Sequence, residues 1–166
     1  MQRARRKTAL LSLLISLLGF TCHSQAMTEK ESKELMNRFW NEVWNPPYRL
    51  ETIDELLTED FTITTDNRDV KGREAFKKWL QGFQAKVADL KVVPQEIIVS
   101  GDGSRIITRM TASGKNKGMF GTLPDNASVE FVAIAIFEVR DGKLAHNWVE
   151  RSAYELHQRL TAKTKP

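Results

Sequence analysis

The run His146-Asn147-Trp148-Val149-Glu150-Arg151-Ser152, near the end of the chain, sets an imidazole, an indole, a carboxyl and a hydroxyl at alternate positions. Side chains alternate across an extended segment, so His146, Trp148, Glu150 and Ser152 share one face and Asn147, Val149 and Arg151 the other. Apolar burial beside an indole disfavours an ionised carboxyl, raises its pKa and suits it to proton abstraction. Glu150 is therefore a candidate general base, and His146, whose side chain titrates near neutrality, a candidate proton shuttle. A plainer reading puts Glu150 at an open rim or in an ion pair with an arginine such as Arg109, and His146 at the surface. Ionised carboxylates are seldom buried without a partner.

Other chemistries find little footing. Gly-rich phosphate loops and a Ser-His-Asp order are both missing, and the three histidines, His23, His146 and His157, are dispersed without ligand spacing, so no metal or cofactor is implied. The aromatic set Trp40, Trp44, Trp79, Phe83, Phe120, Phe131 and Trp148 reads in two ways, as the wall of a hydrophobic pocket for a flat or aliphatic small molecule or as plain core. Asp66-Asn67-Arg68-Asp69 reads as a turn whose Asx side chains bond their own backbone, with a pocket mouth or a calcium site as the alternative.

The elements that must position these residues follow from periodicity. Thr28-Glu29-Lys30-Glu31 has capping-box spacing, and Leu35, Met36, Phe39, Trp40, Val43 and Trp44 then form one helical stripe that Asn45-Pro46-Pro47 ends. A short helix is expected over Ile53 to Leu57, a strand over Phe61 to Thr65, and a third helix after Gly72 with Ala75, Phe76, Trp79, Leu80 and Phe83 on one face. Beyond it the pattern is β: Leu90 to Ser100, Ser104 to Ser113, Ser128 to Val139 and Lys143 to Ala153, joined in part by the tight turns Gly101-Asp102-Gly103 and Asp141-Gly142. Helices first and long antiparallel strands afterwards predict an α+β fold in which three N-terminal helices cover one face of a curved antiparallel sheet.

The first 26 residues read differently. Arg3, Arg5, Arg6 and Lys7 precede an apolar run from Ala9 to Phe20, and Ser24-Gln25-Ala26 supplies the small-x-small pattern of a signal-peptidase site. A cleaved secretory leader over 1–26 is expected, followed by a single domain over 27–166 that is periplasmic or secreted and has no stable membrane association. Of 166 residues, 41% are hydrophobic and 28% charged, the composition of a globular domain. Four of the 25 Lys and Arg residues and none of the 21 acids lie in the leader, so the remainder is formally neutral. Without a clustered basic face, nucleic acid is not an expected partner. Cys22, the one cysteine, also leaves with the leader, which removes disulfide and thiol chemistry.

The order Asp60-Phe61, Gly72-Arg73-Glu74-Ala75-Phe76, Phe120-Gly121 and Phe137 to Leu144 ahead of Trp148 resembles the SnoaL-like polyketide cyclase and ester cyclase group of the nuclear transport factor 2 superfamily, across essentially all of 27–166. The resemblance implies a cone whose sheet curls around a deep apolar pocket, often in a homodimer. It also implies that the group's catalytic acid, four residues after the tryptophan matched by Trp148, is replaced here by Ser152, while other expected polar positions read Asn147, Ala135 and Thr64. With Ser152 on the pocket side, Glu150 and Trp148 would face the pocket too. The functional expectation is an exported protein binding a small hydrophobic or amphipathic molecule through Trp148, Ser152, Arg109, Trp40, Trp44, Trp79 and Phe120. The alternatives are an isomerase or cyclase using Glu150 as base, and a dimeric interaction module.

Overall fold

Thr28 starts the first helix by reciprocal capping: its Oγ1 accepts from the Glu31 amide at 3.2 Å while Glu31 Oε2 accepts from the Thr28 amide at 2.8 Å. The computed structural model describes residues 27–162, so the leader expected over 1–26 lies outside the described residues. Helix α1 (Glu29–Arg38) runs without a break into a π-helical segment, Phe39–Trp44, and ends where the Asn45 amide donates to the Trp40 carbonyl five residues back. Four residues of that segment, Phe39, Trp40, Val43 and Trp44, are buried. The remaining elements are α2 (Thr52–Leu56), β1 (Leu57–Thr65), β2 (Arg68–Lys71), α3 (Arg73–Gln84), β3 (Val87–Val99), β4 (Arg105–Asn116), β5 (Ser128–Arg140), β6 (Lys143–Arg151) and α4 (Tyr154–Ala162), with one 3-10 turn at Met119–Gly121.

The six strands form one curved, unclosed sheet in the order β2-β1-β6-β5-β4-β3. An α+β cone with helices over the concave face is what the sequence predicts, with one amendment: β1 pairs parallel with β6, so the sheet is mixed. The chain reaches that pairing only after β3, β4 and β5 have been laid down, and no local turn signals it. Several element boundaries also differ: β1 begins at Leu57 and β3 at Val87, both earlier than expected. The turn expected at Asp66 to Asp69 is only Asp66-Asn67, both at positive φ as a two-residue hairpin requires, and Arg68 already belongs to the edge strand β2. Pro94 lies inside β3, which tolerates it as the other edge strand, with a register shift between Pro94 and Glu96. His157 lies in α4, a helix held down by the buried Leu156 and Leu160.

The core lies between the helices and the inner sheet face. Phe39 meets Phe137 of β5 edge to face at 5.6 Å, and Phe76 of α3 meets Phe61 of β1 at 5.0 Å. Register makes the two sheet faces explicit. Ile63, Asn147, Phe137 and Ile106 form one inner row across β1, β6, β5 and β4. The adjacent outer row is Thr64, Trp148, Ile136, Ile107 and Ile98, extended onto β3.

Candidate ligand pocket

Beneath the helices the inner face leaves a small cavity of about 30 Å³, below the roughly 300–1,000 Å³ of small-molecule sites, so a ring-sized ligand enters only as the aromatic wall parts. Trp40 and Trp44 from the π-helical segment and Trp79 and Phe83 from α3 form one wall. The wider turn presents both indoles to one side, and i, i+4 spacing does the same for Trp79 and Phe83. Their rings are packed together: Trp44 meets Trp79 at 6.2 Å and Phe83 at 5.8 Å, while Trp79 and Phe83 stack at 5.9 Å with 16° between planes. The opposite wall is the sheet, with Met110 and Ala112 of β4, Phe131 and Ala133 of β5, and Asn147, Val149 and Arg151 of β6. The space exists because Ala112 and Ala133 are small where the helices stand off the sheet.

The alternation read from β6 holds, but the faces are exchanged relative to the expectation. Asn147, Val149 and Arg151 line the cavity, whereas Trp148 and Glu150 are exposed and His146 is half-buried on the outer face. Register fixes this, since Asn147 opposes the buried Phe137 and Val149 opposes the buried Ala135. Glu150 therefore does not face the pocket. Arg109 is also on the outer face, in one row with Glu96, Ile134 and Glu150, two strands away from that carboxyl. Ser152 lies just past β6, where its hydroxyl accepts from the Val132 amide and donates to the Val132 carbonyl at 3.2 Å each; it lines a surface groove, not the cavity. Phe120 stands outside the cavity, in a second groove that shares Trp79, Phe83 and Arg151 with it and so forms its mouth.

His146 belongs to a small outer cluster. Its ring stacks on Trp148 at 3.8 Å, and its Nε2 is 2.8 Å from Thr64 Oγ1, which in turn donates to Asp69 Oδ1. Desolvation holds the imidazole below its ordinary pKa, outweighing the opposing attraction of the Asp69 carboxylate. That makes a neutral ring at pH 7, with no path to the cavity on the far side of the sheet.

Among the described residues lining the cavity there is no carboxylate and no imidazole; its polar members are Asn147, Arg151 and the indole N–H groups of Trp40, Trp44 and Trp79. Sequence reasoning missed Asn147, Val149 and Arg151. The signal available was the large-small alternation Phe131-Ala133-Ala135-Phe137 in β5, which marks the face that makes room for a ligand.

The model of the SnoaL-like polyketide cyclase family matches residues 34–160. No curated protein sequence matches the chain significantly. Among solved structures, a protein of Jannaschia sp. CCS1 from the SnoaL-like polyketide cyclase group superposes with a TM-score of 0.75 at 18% identity, over 86% of this chain and 99% of that one. TsrD from Streptomyces laurentii gives 0.71 at 23% identity, over 82% and 98%. An LEH-like epoxide hydrolase of M. tuberculosis gives 0.61 at 19%, over 80% and 86%. At these identities the superpositions speak for the cone-shaped fold, and the family match carries the assignment. The chain belongs to the SnoaL-like polyketide cyclase family, with the nuclear transport factor 2-like fold.

Proposed function

We propose that this protein binds a small, largely apolar molecule in the cavity behind β6 and performs no carboxylate- or imidazole-driven proton transfer there. The observation that carries the reading is the lining itself: five aromatic side chains and small aliphatic groups, with no carboxylate or imidazole among the described residues that form it. General acid–base catalysis needs a titratable group within hydrogen-bond reach of the substrate. Calorimetry with 2-naphthol tests it: the wild type binds, Ala133→Phe abolishes binding by filling the cavity at a cost of about 1–3 kcal/mol in stability, and Glu150→Gln leaves it unchanged. Binding that survives Ala133→Phe but is lost in Glu150→Gln would sink the reading.

The export reading rests on the basic start, apolar run and Ser24-Gln25-Ala26. Expressed with its leader in a bacterial host, the protein is expected in the periplasmic fraction with the intact mass of a chain starting at Met27. A cytoplasmic chain retaining Met1 would contradict it.

A homodimer through the outer sheet face is favoured by one specific feature. Ile98, Ile134, Ile136 and Trp148 are 50%, 51%, 42% and 37% exposed, and Ile98, Ile136 and Trp148 lie in one row across four strands. The adjoining row reads Glu96, Arg109, Ile134 and Glu150, acidic at both ends with a basic residue between, so a two-fold axis can set arginine against glutamate. Sedimentation velocity is expected to show a dimer that Ile136→Glu converts to monomer. A monomeric wild type would end the idea.

A further inference from the structure

The large apolar side chains exposed among the described residues fall into two sets. Ile98, Ile134, Ile136 and Trp148 belong to the outer sheet face, while Phe120, Leu123 and Tyr154 stand on the loop after β4 and at the start of α4. The second set is one patch. α4 packs against the 3-10 turn, Phe120 meets His157 of α4 edge to face at 5.0 Å, and Tyr154, three residues before His157, lies on the same side of that helix.

Phe120 is held there against its backbone preference. Its φ of 54° lies in the left-handed region, which a bulky side chain rarely adopts, and Gly118 and Gly121 on either side also have positive φ. Met119 of the same turn is buried, and the Asn116 side chain fixes the loop through Thr122, the Leu123 carbonyl and the Gly118 and Met119 amides. A strained turn that buries methionine and points phenylalanine at solvent keeps an apolar tip exposed, and such a patch marks a contact surface.

Its surroundings are cationic. Lys78 and Lys86 line the groove beside Phe120, and the Lys117 amide donates to the Lys86 carbonyl at 2.9 Å, which brings a third lysine alongside. All three are exposed, and none forms an ion pair among the described residues. The two acids of this region are already engaged, Asp66 by Arg151 and Asp125 by the Asn116 side chain and the Ala127 amide.

We propose that this end of the molecule, with Phe120, Leu123 and Tyr154 beside Lys78, Lys86 and Lys117, docks reversibly on an anionic lipid surface. Headgroup phosphates neutralise the lysines, the Tyr154 ring settles at the interface, and Phe120 and Leu123 enter the acyl boundary. The cavity shares Trp79, Phe83 and Arg151 with the same groove, so a docked protein turns its mouth to the phase in which apolar molecules concentrate. That position favours lipid over an acidic protein. Docking goes beyond the pocket reading, and its test does not depend on it.

Cosedimentation with large vesicles is the test, on protein purified from the bacterial host with its intact mass recorded. Binding to phosphatidylcholine vesicles containing about 30% phosphatidylglycerol is expected to be at least about tenfold tighter than to phosphatidylcholine alone, and to weaken steeply as sodium chloride rises to about 0.5 M. Lys86→Glu with Lys117→Glu removes that preference. Phe120→Gly with Leu123→Ser weakens binding to the anionic vesicles several-fold and spares the fold, since glycine adopts the left-handed backbone freely and both sites are exposed. All variants share one N terminus, so binding through a retained leader would survive every substitution and would overturn the assignment to this patch. Equal binding to the two lipid mixtures, or to neither, overturns it too. A wild-type dimer that Phe120→Gly with Leu123→Ser converts to monomer in sedimentation velocity would make the patch a contact between copies and overturn it as a lipid surface. Calorimetry with 2-naphthol is read separately, so failure on vesicles leaves the pocket reading standing.

Discussion

Phe39→Ala is expected to destabilise the protein by about 3–5 kcal/mol, because it removes a whole buried ring from a site that cannot collapse. Phe39 is fully buried and touches four other rings: Trp40 at 5.0 Å, Phe137 at 5.6 Å, and Trp44 and Phe76 at 6.4 Å. It joins the helical layer to the sheet and backs the two indoles of the cavity wall. Loss of the ring leaves a void between elements that are each anchored elsewhere, and edge-to-face contacts worth about 0.5–1.5 kcal/mol apiece go with it. For a chain of this size the melting temperature should fall by roughly 10–15 °C. Because Trp40 and Trp44 lose their support, affinity for 2-naphthol should fall too. Thermal unfolding followed by near-ultraviolet circular dichroism gives the first readout and calorimetry the second. A loss below about 1 kcal/mol would mean that the site repacks and that the aromatic cluster is not the joint between the layers.

The second large effect is expected at Asn116. This side chain is 1% exposed at the end of β4 and uses both ends of its amide. Nδ2 donates to Thr122 Oγ1 at 3.0 Å, the Leu123 carbonyl at 3.1 Å and Asp125 Oδ1 at 2.9 Å, while Oδ1 accepts from the amides of Gly118 and Met119 at 3.0 and 2.9 Å. One residue thus ties down the loop that carries Met119 and Phe120 to the mouth of the cavity. Asn116→Ala orphans the backbone amides of Gly118 and Met119, for an expected loss of about 3 kcal/mol. The Gly118 and Met119 amides should exchange with solvent far faster than in the wild type. Asn116→Asp keeps the acceptor for both amides but sets a second carboxylate beside Asp125, so its deficit should be largest at neutral pH and shrink as one carboxyl protonates in acid. Equal deficits at pH 7 and pH 4 would contradict that account of the network.

Much of the scaffold was legible because its signals are local. The capping box at Thr28, the Asn45-Pro46-Pro47 stop, the α3 stripe and the Asp141-Gly142 hairpin each depend on a few neighbouring residues. The orientation of β6 was not, because in β5 both alternating sets are apolar: Phe131, Ala133, Ala135 and Phe137 face the core, but Val132, Ile134 and Ile136 are as hydrophobic and lie outside. Hydrophobicity alone therefore cannot choose a face, and the choice made through Ser152 turned Glu150 and Trp148 the wrong way. The π-helical widening leaves no mark on side-chain spacing, and β2 escapes notice because Arg68-Asp69-Val70-Lys71 carries only one apolar residue, as befits an edge. Asn116 sits in a stretch whose Gly, Lys and Asn content reads as ordinary loop. Only the fold brings its five partners together.

The central claim is that ligands enter behind the inner face of β6 and not against its outer face. The four tryptophans separate these alternatives, since Trp40, Trp44 and Trp79 line the cavity and Trp148 lies on the outer face. A 1H–15N spectrum of the indole groups, assigned by single Trp→Phe variants and titrated with 2-naphthol, is the most direct measurement. The account predicts that the signals of Trp40, Trp44 and Trp79 shift together with one Kd while that of Trp148 stays in place. A titration that moves Trp148 and leaves the other three unchanged would contradict it.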